Sequence, residues 1–393
     1  MTILFITPYI PYPPSFGGSV RIYNLILQLS RWHRILLLTY DDEGGLGTVD
    51  GLRDLCDQIQ TISHSAAHKR LLQFKSLFSA RSCQYHLNYT KTMNSALEAM
   101  VRANKVDLIM VEFSQLGCIK MPRDIPVVID QHNVEHDLIR RMARRSSWSF
   151  RKLFNMVEAI KYKREEIKYL QRASLVLATS ERDAELMRNL VPSRRCAVVP
   201  NGVNVEFFKN PGISPQPNTL VFVGATHYFP NADGIHFYMR EIHPLITRRI
   251  PDLKVFIVGG NPPPAITEYA SEKIQVTGFV EDVRHYIHNA AAFVVPLRMG
   301  GGTRFKVVEA MAAGTPVIST SLGSEGIRLT SGKQAMVADT PATFAQAVVE
   351  VLTTPGLAAN LRTEGYEFVQ KYFDWSVIGK QLDEQLEAIA DHA

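Results

Sequence analysis

The feature that most restricts the fold of this chain is an alternation of short apolar runs with stretches in which apolar residues recur at helical spacing. Short apolar runs without polar alternation predict buried strands. In the first half of the chain they occur at residues 3–7, 34–39, 106–111, 126–130, 175–179 and 196–199. Strands that alternate with helices form parallel sheets covered by helices on both faces, so the fold class is α/β.

The pattern is interrupted at residues 210–218, which are rich in Pro and Gly and lack periodicity, as in a linker. It restarts with a predicted helix at 232–250 and strands at 220–224, 253–258, 274–277, 292–296 and 316–319. A chain of 393 residues exceeds what one core usually organises. We therefore predict two doubly wound Rossmann-like domains, at residues 1–205 and 206–375, with ligands in a cleft at the carboxyl ends of both sheets.

Composition excludes several classes of protein. The formal net charge of +5 is too small to indicate a nucleic-acid partner. The four cysteines form no CxxC pair, which predicts reduced thiols and no metal site. The first residues lack the basic region of a signal peptide, and nothing approaches 18 consecutive apolar residues. These features predict a cytoplasmic protein.

Positive charge is concentrated in residues 140–172, where eleven Lys and Arg residues stand against three acids. Trp148, Phe150, Leu153 and Phe154 are interleaved with these cations. Such a segment fits peripheral contact with the inner face of a membrane. It fits equally well a solvated helix whose apolar side lies on the core.

A second unusual stretch is MGGGTRFKVVEAMAAG at residues 299–314. Gly300 to Gly302 follow a predicted strand, Thr303 is a plausible N-cap, and a helix is expected from residue 304 to residue 313. Helix N-termini bind anions, and glycines let a phosphate approach the backbone. Arg304 and Lys306 would add charge for a diphosphate, while Glu309 could accept hydrogen bonds from ribose. A surface helix with an incidental charge mixture is the alternative.

At this stretch the chain resembles the GT4 glycosyltransferases, which are retaining, nucleotide-sugar-dependent enzymes of the GT-B fold. The resemblance extends over nearly the whole chain. Besides residues 296–320, it includes FGGSVR at 16–21, DQHNVE at 130–135, ATSERD at 178–183, VPNGV at 199–203, VGATHYFPNAD at 223–233 and YFDWS at 372–376. It implies that a C-terminal helix at 376–393 crosses back to the N-terminal, acceptor-side domain, and that the C-terminal domain binds the sugar nucleotide.

The resemblance also implies roles for single residues. His132 matches the family histidine beside the reaction centre, although a lone histidine is more often structural. Asp130 or Glu135 could orient its ring or help to bind the acceptor. Gly17 and Gly18 would face the donor phosphate, or simply form a tight turn. Arg21, the nearest cation, could pair on the surface. His227 and Asn231 either contact the donor or only shape their loop.

Two departures from the family pattern stand out in the donor site. Of the usual Glu-x7-Glu pair, Glu309 matches the second member, but Gly301 stands at the first, so backbone amides around Gly301, Gly302 and Thr303 would face the donor. The loop after Gly224 also lacks the family's Arg and Lys. We therefore expect Arg304 and Lys306 to supply the missing charge, and we predict them, with His132, as the catalytic residues.

The implied reaction is sugar transfer from a nucleotide-diphosphate sugar to a glycan, lipid-linked or protein glycan acceptor in the synthesis of cell-surface polysaccharide or glycoconjugate. Asp-x-Asp, a common metal-holding signature, is absent from the sequence, so neither a metal nor another cofactor is expected. Two alternatives stay open at this stage. The chain could be a non-catalytic scaffold that kept the fold, or a nucleotide-sugar epimerase.

Overall fold

The computed structural model describes residues 1–42, 47–64, 69–137, 139–140, 150–299 and 304–390. The chain forms two compact units, one of Met1–Pro200 with Ile378–Ala393 and the other of Asn201–Val377. The segment 210–218, predicted as a linker, lies inside the second unit, and its last three residues belong to a strand that begins at Gln216. Prolines are tolerated at the start of a strand, which is why this segment did not look like one.

In the described part of the first unit, seven parallel strands form one sheet in the order β3-β2-β1-β4-β5-β6-β7. The strands are β1 (Thr2–Thr7), β2 (Arg34–Asp42), β3 (Gln58–His64), β4 (Leu108–Glu112), β5 (Val127–Gln131), β6 (Leu175–Ala178) and β7 (Arg195–Val198). The order reverses between β1 and β4, and sheets of this kind bind ligands at such a switch point.

The second unit repeats this design. Its described residues form a six-stranded parallel sheet in the order β10-β9-β8-β11-β12-β13. The strands are β8 (Gln216–Val223), β9 (Lys254–Val258), β10 (Ile274–Gly278), β11 (Ala290–Val295), β12 (Val317–Ser319) and β13 (Met336–Val337). Here the switch point lies between β8 and β11. The predicted α/β class with two doubly wound domains is confirmed.

Helices connect the strands in both units. Those of the first unit are Gly17–Leu29, Lys69–Leu77, Cys83–Asn88, Lys91–Ala103, Phe150–Leu170 and Glu181–Leu190. Those of the second are Val205–Phe208, Phe229–Phe237, His243–Thr247, Pro264–Thr267, Arg284–Asn289, Phe305–Ala312, Pro341–Thr353 and Pro355–Tyr372. None of the described helices is both long enough and apolar enough to cross a membrane.

The central strands are apolar because both faces of each sheet are covered by helices. Ile3, Leu4, Phe5 and Ile6 of β1 are fully buried, as a strand without polar alternation requires. By contrast, β3 was missed in the sequence, because this edge strand is largely polar and mixes exposed with half-buried positions.

The helix predicted at 232–250 is not one continuous α-helix. A helix Phe229–Phe237 passes into a π-helical turn, Tyr238–Ile242, before the helix His243–Thr247. Pro244 explains the interruption, since a proline inside a helix has no N–H to donate and forces the hydrogen-bond ladder to shift.

The final helix, Trp375–Ala390, begins in the second unit and continues into the first from Ile378. In the first unit, Asp383 lies 2.6 Å from Nε2 of His33, and Gln385 accepts a hydrogen bond of 2.9 Å from Arg195. The predicted return of the C-terminal helix to the N-terminal domain is therefore confirmed.

Candidate active site

Charged side chains meet at the carboxyl ends of β4 and β5, beside the switch point of the first sheet. Glu112 is the last residue of β4, and the register of the two strands pairs it with Asp130 of β5. His132 follows β5 directly, and Arg21 reaches this place from the helix Gly17–Leu29. We call these four residues the histidine cluster.

Arg21 and Asp130 form a bidentate ion pair inside the protein. Nε and Nη2 of Arg21 donate to the two carboxylate oxygens over 2.7 and 2.8 Å, and both side chains have no exposed surface. The prediction that Arg21 pairs on the surface is wrong. Burial acts to raise the pKa of Asp130, but the charge of Arg21 and the hydrogen bonds of His132 and Arg21 outweigh it and hold that pKa well below its usual range.

The closest partner of His132 is Glu112. Nε2 of His132 lies 2.8 Å from a Glu112 oxygen and 3.6 Å from an Asp130 oxygen. The predicted partner Asp130 is thus near the ring, but Glu112, which was not predicted, lies closer. Burial, aided by the charge of Asp130, raises the pKa of Glu112 to about 7. Burial lowers the pKa of His132, but its two carboxylate partners outweigh burial and raise it. The Phe113 ring lies against the imidazole at a centroid distance of 3.8 Å.

Glu135, the other acid predicted beside His132, is half-buried. Burial and the charge of Glu166 raise its pKa to about 7. Glu112 was missed in the sequence, although an acid at the end of an apolar strand was a usable signal. Such a strand carries its last residue to the edge of the sheet where ligands bind.

The histidine cluster also has the composition of a cation site. Glu112, Asp130 and His132 each offer one possible metal-ligand atom, and these three atoms lie within 4.8 Å of one another. Both oxygens of Asp130 already accept hydrogen bonds from Arg21, whose charge would repel a divalent cation. The geometry fits a network of mutual hydrogen bonds better than a metal site, and the independence of metal stays a prediction.

Gly17 and Gly18 open the helix that carries Arg21. A Cβ atom at Gly18 would lie 2.0 Å from the hydroxyl of Tyr9, so any larger residue would have to displace the tyrosine. Among the described residues, the buried Tyr9 hydroxyl has no hydrogen-bond partner. Close packing thus gives one reason for Gly18. The phosphate-binding role of Gly17 and Gly18 stays a prediction.

We expect the substitution Glu112→Gln to lower the pKa of His132, because it removes a negative charge 2.8 Å from the ring. The titration of the imidazole, followed by NMR with ¹³C-labelled histidine, measures this shift. Glu98→Gln, a change at an exposed glutamate of the same unit, serves as the control. An unchanged His132 titration in the folded Glu112→Gln variant would show that the pair does not set the charge of the ring.

A second group of polar residues lies at the switch point of the second sheet. Nζ of Lys306 donates a 2.9 Å hydrogen bond to Oδ1 of Asn231 and lies 4.4 Å from the centroid of the Phe222 ring. Gly224 follows β8 with φ of 155°, and a Cβ atom there would lie 2.6 Å from Nζ of Lys306. A side chain at Gly224 would therefore displace the lysine.

Arg304 is the N-cap of the helix Phe305–Ala312, so the predictions of Thr303 as cap and of a helix from residue 304 are wrong. Nη2 of Arg304 lies 3.9 Å from Glu325. Lys306 stands in the first turn and Glu309 one turn later. We call Gly224, Asn231, Arg304, Lys306 and Glu309 the lysine cluster.

The electrostatics of the lysine cluster suit an anion. Burial and the nearby charge of Arg304 lower the pKa of Lys306 to about 7. Burial raises the pKa of Glu309 to about 7 as well, against the effect of Lys306. A diphosphate would favour the charged form of Lys306, since an opposite charge raises the pKa of an amine.

The predicted site residues thus fall into two groups. Gly17, Gly18 and His132 belong to the first unit, whereas Gly224, Arg304, Lys306 and Glu309 belong to the second. Gly301, Gly302 and Thr303 lie outside the described residues. Of the two less certain donor residues, Asn231 is part of the lysine cluster. His227 is exposed, with Nδ1 3.5 Å from the carbonyl oxygen of Gly260.

Comparison with known proteins gives matches along most of the chain. A family model described as Glycosyltransferase Family 4 matches residues 17–207. A second model, described as Glycosyl transferases group 1, matches residues 217–354. The two models correspond to the two units of the structure.

Relatives with similar sequences include three bacterial proteins. The "uncharacterized 44.6 kDa protein in cps region" of Klebsiella pneumoniae is 23% identical, and the match covers 95% of this chain and 96% of that protein. A phosphatidyl-myo-inositol mannosyltransferase of Mycobacterium leprae is 30% identical over 49% of this chain and 53% of that protein. The GDP-mannose:cellobiosyl-diphosphopolyprenol alpha-mannosyltransferase of Xanthomonas oryzae pv. oryzae is 24% identical over 96% of this chain and 95% of that protein.

Solved structures agree in fold. The sucrose-phosphate synthase of Thermosynechococcus elongatus superposes with a TM-score of 0.73 at 18% identity, covering 100% of both chains. The HepE protein of Anabaena in complex with UDP-glucose gives a TM-score of 0.67 at 14% identity, with 99% and 100% covered. These structures show the GT-B fold. The two family models, which together match most of the chain, establish that it is a transferase and belongs to the GT4 family of glycosyltransferases.

Proposed function

We propose that this glycosyltransferase moves a sugar from a nucleotide-diphosphate sugar to a glycan, lipid-linked or protein glycan acceptor, with retention of anomeric configuration and without a metal ion. The observation that carries the proposal is the position of Lys306, which is half-buried beside Gly224 at the switch point of the second sheet. Gly224 leaves room for the ammonium group of Lys306, and a cation held at the switch point of a parallel sheet suits a diphosphate.

The names of similar proteins support this class of donor. The Anabaena protein was crystallised with UDP-glucose, and the name of the Xanthomonas relative includes GDP-mannose. The bases of these two donors differ, so they favour a nucleoside diphosphate without selecting the base. The Xanthomonas enzyme is also named for a diphosphopolyprenol acceptor, which supports a lipid-linked acceptor in surface polysaccharide synthesis. We place the reaction in the cytoplasm, at the inner face of the cell membrane.

In the proposed reaction, the acceptor hydroxyl forms a bond to the anomeric carbon while the bond from that carbon to the diphosphate oxygen breaks. The hydroxyl proton passes to the departing diphosphate, on the face from which the acceptor attacks. Lys306 and Arg304 stabilise the negative charge that grows on the leaving group. Because the base is the diphosphate itself, this course needs no nucleophile from the protein.

Other residues bind and position the reactants. Glu309, once ionised, accepts hydrogen bonds from the ribose hydroxyls. His132, held by Glu112 and carrying a raised pKa, offers a charged donor for sugar hydroxyls on the acceptor side. Arg304 and Lys306 replace the two cations that the loop after Gly224 lacks, as we expected from the sequence.

The proposal is tested by measuring thermal stability against a panel of sugar nucleotides at one concentration. We expect the matching donor to raise Tm selectively, because a ligand stabilises the native state to which it binds. With that donor, NMR of the product identifies the anomer, and EDTA is expected to leave the rate unchanged. The absence of any Tm shift would contradict the donor class. An inverted anomer would contradict retention, and a rate lost in EDTA and restored by Mg²⁺ would contradict independence of metal.

A further inference from the structure

The helix Phe150–Leu170 is apolar on its solvent side as well as on its core side. Met156 and Val157 lie three and four residues after Leu153, and Ile160 lies four and three residues after them, so the four residues share one face. Their exposed fractions are 51%, 47%, 39% and 58%. The opposite face is buried. The two alternatives for residues 140–172 therefore do not exclude each other, because the helix packs on the core and still presents an apolar stripe to solvent.

A neighbouring helix extends this apolar surface. Lys69–Leu77 and the residue that follows it expose Leu71, Phe74, Leu77 and Phe78, and Phe78 is 81% exposed. Nζ of Lys161 donates to the carbonyl oxygen of Ser76 over 2.5 Å, which joins the end of this helix to the middle of Phe150–Leu170. We call the eight exposed apolar residues of the two helices the docking face. Soluble proteins rarely leave so large a cluster open unless it binds something.

The charge around the docking face has one sign. Arg164 and Lys168 continue the apolar stripe at the next two turns, and both are exposed, as are Lys163 and Lys75. The acids of the helix Phe150–Leu170 are Glu158, Glu165 and Glu166, which are at most 6% exposed. Glu165 accepts hydrogen bonds from Ser82, and Glu158 accepts one from the backbone of Cys83. Within the described part of this helix, the charge that reaches solvent is therefore positive.

We propose that the docking face binds the surface of an anionic phospholipid bilayer. Apolar side chains on a helix enter the boundary between headgroups and acyl chains, and flanking Lys and Arg side chains pair with lipid phosphates. A second copy of the chain suits the face less well, because a two-fold contact would bring the same cationic surfaces together. The inference deepens the proposed function, because it brings the enzyme to the membrane where a lipid-linked acceptor resides.

Vesicle binding tests this proposal without a sugar nucleotide, so its outcome is independent of the donor. We expect the full-length protein to co-sediment with phosphatidylglycerol–phosphatidylcholine vesicles and to bind pure phosphatidylcholine vesicles at least about tenfold more weakly. The double substitution Lys163→Glu/Arg164→Glu should lower binding to anionic vesicles at least about tenfold, since it replaces two attractive charges near the surface by two repulsive ones. Phe78→Ser should weaken binding as well, through loss of apolar insertion.

The chain offers matched controls for both changes. Phe279 is as exposed as Phe78, at 81%, but lies in the second unit, so Phe279→Ser should leave vesicle binding unchanged. Lys371→Glu/Lys380→Glu alters net charge by the same amount at exposed positions outside the docking face. Equal losses in control and test variants, or no binding of the wild type to anionic vesicles, would overturn the proposal. So would a dimer that Phe78→Ser dissociates in the absence of vesicle binding.

Discussion

The substitution Lys306→Ala is expected to lower kcat/KM for sugar transfer about 100- to 1000-fold, the usual effect of removing one group that stabilises charge in a transition state. We also expect the Kd of the nucleoside diphosphate to rise at least about tenfold, or 1.4 kcal/mol. Both effects arise because Lys306 is the cation that lies beside Gly224 and is held there by Asn231. Steady-state kinetics and titration calorimetry measure them.

The lowered pKa of Lys306 gives this prediction a dependence on pH. At pH 8 an amine with a pKa of about 7 is mostly neutral in the free protein, and a bound diphosphate favours its charged form. Binding should then take up a proton, which calorimetry in two buffers of different ionisation enthalpy detects. Glu309, with a pKa of about 7, is already ionised at pH 8 and should not contribute. Lys306→Ala should abolish the uptake, and at pH 6 the wild type should take up little.

Lys254→Ala is a suitable control, because Lys254 is an exposed lysine at the amino end of β9, away from the edge that binds ligand. Arg304→Ala tests the second cation. We expect this substitution to raise the Kd of the nucleoside diphosphate about tenfold as well. Wild-type affinity in both the Lys306→Ala and Arg304→Ala variants would refute the idea that these residues replace the missing cations of the loop after Gly224.

The sequence was sufficient to predict the architecture, whereas the site residues stay a prediction. Buried parallel strands have a strong local signal, and the carboxyl end of a strand follows from its direction. The predicted strands therefore place His132, and the stretch that contains Lys306, after carboxyl ends of strands. The same logic covers Gly224, the last residue of the strand predicted at 220–224.

The pairing of side chains across the sheet could not be read from the sequence. Glu112 and Asp130 meet only because β4 and β5 align in one particular register, and no local pattern encodes that register. Arg21 looked like a surface cation because arginine is rarely buried without a partner, and its partner lies 109 residues away. The sequence indicated only the part of the docking face that lies in residues 140–172, because the other part belongs to the helix Lys69–Leu77, which is distant in sequence.

A large effect on stability is expected from Arg21→Met. It leaves the buried carboxylate of Asp130 without its bidentate partner, and removing one member of a buried ion pair costs about 3–5 kcal/mol. The free energy of unfolding of the first unit, measured by urea denaturation, reports the loss. The double variant Arg21→Met/Asp130→Leu should recover most of it, because apolar side chains often replace a buried pair at little cost.

The dependence of this effect on pH follows from the lowered pKa of Asp130. A carboxyl group whose pKa is lower in the folded than in the unfolded state contributes stability above its unfolded pKa of about 3.9, and this contribution is lost as pH falls toward the folded value. The contribution of ionised Asp130 to the stability of the wild type should thus be full at pH 7 and should be lost progressively below about pH 4.

An exposed ion pair of the same length provides the comparison that isolates burial. Arg188 lies 2.7 Å from Glu181, and both side chains are nearly half exposed. Arg188→Met should cost less than about 1 kcal/mol, because water and salt screen a surface pair. If Arg21→Met were equally mild, or if the double variant were no more stable than the single one, the ion pair would not be what holds the histidine cluster in place. A large loss that the double variant recovers would show that the buried carboxylate of Asp130 depends on Arg21, a partner that only the folded first unit brings to it.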